Sequence, residues 1–240
     1  MSMLSDIFRP LLHLIAPPTC PICGGRLAEQ SVGVCTMCEL SAPLTNTWQQ
    51  RENSMMERFW GLLPVEHASA FLWYIEGSPW REAIHQFKYK GAWRTPYNLG
   101  LWFGSYLKQS GHYDNIDLVV PVPLHWARRI WRGYNQSEYL ADGIAKRLGV
   151  EVERRAIYRS RYNRTQTSRS HSERWQNVEG IFAVRNAERL QGRHILLVDD
   201  VFTTGATIMS LGETILAAAP DARLSVATLA ATPRSLNRKD

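Results

Sequence analysis

The chain has 240 residues, 28 of them basic and 22 acidic, for a formal charge of +6, and 45% are hydrophobic. That length holds one sizeable α/β domain plus a small appendage, or two small domains, with enough apolar residues for a real core. Disordered, collagen-like and low-complexity classes are excluded. A charge of +6 would mark an anionic partner only if it were gathered in one place.

At the start of the chain, Leu4, Ile7, Phe8, Leu11, Leu12 and Ile15 fall on one face of a helix. Asp6, Arg9 and Pro10 interrupt the stretch, so it is neither a signal-peptide core nor a span of ~20 apolar residues. It reads as a helix packed on its own protein, with a surface-docking helix as the alternative. Together with the Pro-, Gly- and Cys-rich stretch that follows, it forms a first unit over residues 1–43. Residues 44–65 read as a linker or irregular helix, and residues 66–240 as the main domain. The run from His67 to Tyr74 reads as a strand. Residues 79–90 read as a helix, with Pro79 in its first turn and Gly91 just past its end. Residues 97–109 read as a second helix.

Strands and helices then alternate. Leu118 to Val122 is a strand, Asn135 to Leu148 a helix ended by Gly149, and Val152 to Tyr158 a strand. A polar stretch over residues 159–178 precedes a short strand from Ile181 to Val184. Ile195 to Val198 is a fully apolar strand, Thr207 to Ala219 a helix and Leu224 to Leu229 the last strand. The tail from Pro233 to Asp240 reads as frayed. This alternation predicts a parallel sheet with helices on both sides.

Cys20, Cys23, Cys35 and Cys38 are the four cysteines of the chain, in the spacing C-x2-C-x11-C-x2-C. Two CxxC knuckles place four thiolates where one tetrahedral ion can collect them, and Gly24, Gly25 and Gly33 supply tight turns. Structural Zn²⁺ is the leading reading. A redox dithiol pair, unligated thiols and an iron–sulfur cluster are the alternatives. With four protein ligands no position stays open for chemistry, so the metal would fold the module and not catalyse. Cysteines gathered in one cluster, rather than scattered as staples, read as cytosolic. No other stretch reaches membrane-spanning length.

The most informative run is Ile195-Leu196-Leu197-Val198-Asp199-Asp200-Val201-Phe202-Thr203-Thr204-Gly205-Ala206-Thr207. An apolar strand ends in two carboxylates where open α/β sheets bind ligands. A loop of small hydroxyl residues then enters a helix, an anion cradle at a helix N-terminus. Acids beside a phosphate cradle suggest a sugar phosphate.

This run resembles the phosphoribosyl-pyrophosphate (PRPP) motif of type I phosphoribosyltransferases. Val120-Pro121-Val122-Pro123-Leu124, then Arg128-Arg129 and Arg132-Gly133-Tyr134-Asn135-Gln136, resemble the ComF family. So does Ile84-His85-Gln86-Phe87-Lys88-Tyr89-Lys90-Gly91, and the paired CxxC knuckles resemble that family's N-terminal zinc region. The resemblance implies a type I phosphoribosyltransferase-like α/β fold, a parallel sheet flanked by helices, with a small four-cysteine zinc module. It implies that Asp199 and Asp200 hold the ribose hydroxyls. Val201, Thr203, Thr204, Gly205, Ala206 and Thr207 would line the 5′-phosphate loop, and Arg128, Arg129 and Arg132 would meet pyrophosphate, with Mg²⁺ bridging pyrophosphate and sugar oxygens. It also implies a link to competence and DNA utilisation.

Residues 159–178 are expected to be a mobile lid over PRPP, or else an ordinary surface loop. Trp93, Trp126, Trp131 and Trp175 lie near basic residues. They are expected to fill the core or cap the site, with stacking of single-stranded DNA as the alternative. His85 reads as structural, and His125 and His194 as flanking the site. Two functions stay open: PRPP-dependent transfer to an unknown acceptor, or a non-catalytic nucleotide sensor or adaptor binding single-stranded DNA or DNA-uptake proteins. Residues 154–174 carry seven arginines against Glu173 alone, the whole +6 of the chain. That stretch is expected to meet a polyanion, pyrophosphate first and a DNA backbone second.

Overall fold

A computed structural model describes residues 18–28, 31, 33–87, 93–160 and 180–236. The expected helix over residues 1–16, the expected helical end at 88–90, most of the 159–178 stretch and the last four residues lie outside these. The strands are β1 (Val65–Trp73), β2 (Leu118–Pro121), β3 (Glu151–Val152), β4 (Ile157–Arg159), β5 (Phe182–Val184), β6 (His194–Phe202) and β7 (Arg223–Ala231). The helices are α1 (Thr36–Leu40), α2 (Pro79–Gln86), α3 (Arg94–Ser110), α4 (Trp126–Arg132), α5 (Gln136–Leu148), α6 (Ala206–Ala218) and the short α7 (Pro233–Leu236). Five strands form one sheet in the order β1-β7-β6-β2-β3, parallel at every pairing.

A parallel sheet covered on both faces needs strands that are apolar on both sides, and the Ile195–Val198 run supplies one. Ile195 and Leu197 share a core with Ile208, Leu211 and Ile215 of α6. Leu196 and Val198 join Phe103 and Leu107 of α3 and Leu140 and Ile144 of α5 on the other side. Helix starts are capped by local chemistry. Ser78 Oγ accepts from the Arg81 amide at 3.1 Å, and Asn135 Oδ1 accepts from the Ser137 amide at 3.2 Å.

Helices α3 and α5 meet backbone to backbone. A Cβ on Gly143 would stand 2.2 Å from the Tyr97 carbonyl oxygen and 2.6 Å from the Leu101 nitrogen, and one on Gly100 would stand 2.3 Å from the Leu140 oxygen. Only hydrogen fits at these positions.

Three expectations change. The single strand expected from Val152 to Tyr158 is two. β3 ends where the buried Glu153 carboxylate accepts from the amides of Arg155 at 2.6 Å and Ala156 at 3.0 Å, turning the chain away. β4 then pairs antiparallel with β5 in a separate two-stranded sheet, so the 159–178 stretch does not lie between strands of the main sheet. β6 does not stop at Val198. It pairs with β7 through Phe202, so both acids lie within the strand. The tail does not fray at Pro233. Ser235 donates to the Thr232 carbonyl at 2.6 Å and Leu236 is buried. Residues 44–65, read as a linker or irregular helix, carry two 3-10 turns and bury Trp48, Met55, Phe59 and Leu63 in the main core.

Two outcomes follow for stability. Gly143→Ala gains ~1 kcal/mol of helix propensity yet forces backbone apart, and a net loss of about 2–3 kcal/mol is expected. A urea midpoint at or above wild type would contradict the α3–α5 contact. His67 on β1 is held down to about 4 by burial first, then by Arg51 and His112. Its neutral form is favoured in the fold, so its contribution is intact above its unfolded value of ~6.5 and is lost as pH falls through about 4. Wild type should therefore lose stability relative to His67→Gln across that window. Parallel curves would refute it.

Candidate functional site

The topology makes a crevice. From β2 the chain runs through α4 and α5 to β3 on one side, and from β6 through α6 to β7 on the other. Since β2 and β6 are neighbours, their outgoing connections diverge at their C-terminal ends, where open α/β sheets take ligands. Both helix N-termini, α5 and α6, open onto this point.

Asp199 and Asp200 sit on β6 at the crevice. Successive strand residues face opposite sides, and the two acids have separate surroundings. Asp200 shares a small cavity with Ile84, Phe87, Pro96, Gln136, Leu140 and Leu229. Its Oδ2 accepts from Gln136 Nε2 at 2.8 Å, and its Oδ1 accepts from the Val201 amide at 2.7 Å. Asp199 Oδ1 accepts from Ser137 Oγ at 3.2 Å and from the Asp200 amide at 2.9 Å. Gln136 and Ser137 escaped functional assignment in the sequence, although Gln136 belongs to the Arg132–Gln136 run that carried the resemblance.

The loop after β6 is tight because Gly205 adopts φ +79°, which a side chain would resist, and because a Cβ there would stand 2.8 Å from the Phe202 ring. Thr203 is exposed, Thr204 and Thr207 are half-buried, and Thr204 Oγ1 accepts from the Ala206 amide at 3.4 Å. The first turn of α6 thus presents its amides to the crevice, as an anion cradle requires.

On the other wall stands α4. His125 caps it, Nδ1 accepting from the Ala127 amide at 3.3 Å, and Gly133 ends it at φ +81°. Arg129 pairs with Glu138 at 2.9 Å, and Arg132 donates to Gln136 Oε1 at 3.4 Å. Arg159 of β4 was noticed in the sequence only as part of a charge run. Burial lowers its guanidinium below the usual range, Arg128 adds to that, and Asp199 opposes it. His125 is likewise pushed below the ordinary imidazole range, by burial, then Arg159 and Arg128. Arg159 and Arg128 thus bring positive charge to the side of Asp199, while His125 is held toward its neutral form.

Of the two places expected for the tryptophans, core or cap of the site, exposure excludes the core for α4: Trp126 and Trp131 are 67% and 70% exposed and Ile130 is 75% exposed. At 100° per residue Trp126, Ile130, Ala127 and Trp131 form one arc of α4 and the three arginines the other. Trp93 is 42% exposed and lies 5.5 Å from Tyr139. Trp175 lies outside the described residues. His194 does not flank the site. It begins β6, five residues before Asp199 and so ~16 Å away along the strand, where its Nε2 meets Ser225 Oγ at 2.9 Å.

The four cysteine Sγ atoms all lie within 4.8 Å of one another. A tetrahedron with metal–sulfur bonds of ~2.3 Å has edges of ~3.8 Å, and Cys23 and Cys35 stand 3.6 Å apart. The Gly25 amide faces Cys23 Sγ at 3.4 Å and the Cys35 amide faces Cys20 Sγ at 3.4 Å. Burial opposes ionisation of Cys20, but amide donation from Cys35, Cys23 and Ile22 outweighs it and brings the thiol to about 7. The set fits a metal such as zinc. The module is not an isolated knob. Cys20, Val34 and Cys38 join the core on the α3–α5 side, and a Cβ on Gly33 would strike Asn98 of α3 at 2.5 Å.

Residues 135–240 match the family model for the phosphoribosyl transferase domain. The DNA utilization protein YhgH of Escherichia coli strain K12 is 38% identical over 101 residues, which cover 42% of this chain and 43% of that protein. Competence protein F of Haemophilus influenzae is 31% identical over 98 residues, covering 40% and 43%. Competence protein ComFC of Bacillus subtilis is 28% identical over 222 residues, covering 92% and 81%. The chain therefore matches less than half the length of the first two relatives and most of the third.

The metal centre has a direct check. Protein purified without chelator should carry one thiophilic ion per chain by elemental analysis, and Cys38→Ser should lose it together with several degrees of thermal midpoint. A metal-free parent protein of full stability would refute the centre.

Proposed function

Because this chain belongs to the ComF family and carries a phosphoribosyl transferase domain, we propose that it binds PRPP with Mg²⁺ and transfers the phosphoribosyl group to an acceptor in DNA utilisation or competence. One observation carries the reading: an acid pair, the N-terminus of α6 and the arginine arc of α4 converge on one crevice at a topological switch point.

In this reading Asp199 and Asp200 accept hydrogen bonds from the ribose hydroxyls. The loop over Thr203 to Thr207, with Val201 beneath it, holds the 5′-phosphate by amides and hydroxyls. Arg128, Arg129 and Arg132 face pyrophosphate, and Arg159 adds charge from β4. Mg²⁺ bound together with PRPP would supply charge neutralisation at the pyrophosphate. Transfer breaks the bond from ribose C1 to the pyrophosphate oxygen, which keeps the electron pair. The sugar becomes cation-like, the adjacent carboxylates favour that charge, and the arginines favour the leaving group. The acceptor nucleophile then bonds to C1. The metal at the cysteine cluster is zinc with a structural role, and the protein works in the cytoplasm. Among the described residues no helix is long and apolar enough to cross a membrane.

A second reading rests on the outward tryptophans of α4. Trp126 and Trp131 beside arginines suit stacking of single-stranded DNA bases by a non-catalytic adaptor. Steep weakening of DNA binding with salt supports it; salt-insensitive or absent binding removes it.

Calorimetry with PRPP and Mg²⁺ tests the first reading. Heat is expected with the parent protein, and Asp199→Asn with Asp200→Asn should weaken binding at least about tenfold, since hydrogen bonds to charged groups contribute about 1.5–3 kcal/mol each. No heat with the parent protein overturns the reading. Pyrophosphate release across a panel of bases then separates an enzyme from a sensor.

A further inference from the structure

Gln136 is the first residue of α5, and it is 7% exposed. Its Nε2 donates to Asp200 Oδ2 at 2.8 Å, and its Oε1 accepts from an Arg132 guanidinium nitrogen at 3.4 Å. A carboxylate only accepts and a guanidinium only donates, so a single orientation of the amide satisfies both neighbours. The cavity shared by Gln136 and Asp200 is otherwise walled by Ile84, Phe87, Pro96, Leu140 and Leu229. Against such walls a carboxylate that loses its donor costs more than in water.

The placement of Gln136 is over-determined. Asn135 Nδ2 donates to the Val122 carbonyl at 3.0 Å, tying the start of α5 to the end of β2. Ser137 then reaches Asp199. Three consecutive residues thus anchor the loop and both acids, and Gln136 touches both walls of the crevice.

We infer that Gln136 is a positioning residue of the sugar-phosphate site, holding Asp200 in the rotamer that faces the crevice and tying it to Arg132 on the pyrophosphate side. The inference rests on the PRPP reading. Gln136 meets no reacting atom in it; the residue acts through Asp200.

The test replaces Gln136 by Met, near in shape but no donor, and by Glu. Affinity for Mg²⁺ and PRPP is read at pH 5.5 and pH 8, each relative to wild type at that pH, with thermal midpoints alongside. Gln136→Met should weaken binding about tenfold at both pH values. In Gln136→Glu a protonated carboxyl donates as the amide did, whereas an ionised one repels Asp200. That variant should bind weakly at pH 8 and recover to within about threefold of wild type at pH 5.5. A purely structural role would lower affinity and melting point together, without pH recovery. Wild-type affinity of either variant at pH 8, or no recovery in the Glu variant, overturns the proposal. A second readout needs no ligand: the ¹³C carboxyl resonance of Asp200 should titrate at higher pH in Gln136→Met than in wild type. If wild type binds no PRPP, the PRPP reading fails and this resonance alone decides; an unchanged titration then overturns the role of Gln136.

Discussion

Helices α3 and α5 touch through glycine, and much of the site follows from that contact. Gly100 and Gly104 on one helix and Gly143 on the other let the two backbones approach with no side chain between them. The approach fixes the height of α5 over the sheet. Its N-terminus carries Asn135, Gln136 and Ser137, whose side chains reach β2, Asp200 and Asp199 in turn. Helix packing in the middle of the layer therefore bears on carboxylate geometry at its edge. The cysteine module leans on the same layer through Gly33 and Asn98, so the four-cysteine cluster and the crevice share one structural support.

Much of this was legible in the residues, and the rest was hidden for physical reasons. The Ile195–Val198 run announces a buried parallel strand because it is apolar on both faces. The Thr203–Thr207 loop announces a helix start at a phosphate-sized turn. The CxxC spacing announces four converging sulfurs, and the structure brings them together. What pattern reading lost were features made by tertiary partners. The end of β3 depends on Glu153 collecting two backbone amides, and no hydropathy period records that. The extension of β6 past Val198 depends on pairing with β7, which overrides the polarity of two aspartates. The roles of Gln136 and Ser137 depend on a contact more than 60 residues away in sequence. The tryptophans of α4 could fill the core or cap the site, and amphipathicity alone does not say which face of a helix meets the protein.

The charge excess divides more finely than its location in the sequence suggested. Arg154 forms an ion pair with Asp142, which spends one of the seven arginines on holding β3 against α5. Arg159 is half-buried beside the crevice and senses both Arg128 and Asp199. Of the three arginines of this stretch that the structure describes, Arg159 is the one beside Asp199. Arg128 comes from outside the stretch, so the positive wall of the site is assembled from two distant segments.

The two walls of the crevice differ in how they are held. Asp199 and Asp200 belong to a central strand bonded to neighbours on both sides, and displacing them means melting the sheet. Helix α4 has no buried residue, and what holds it includes a His125 cap and side-chain bonds from Arg129 to Glu138 and from Arg132 to Gln136. Backbone amides on β6 should exchange with solvent only through global unfolding, whereas those of α4 should exchange through cheap local opening. The acidic wall is thus the stiffer of the two, and the arginine-bearing wall is the one that local opening can move.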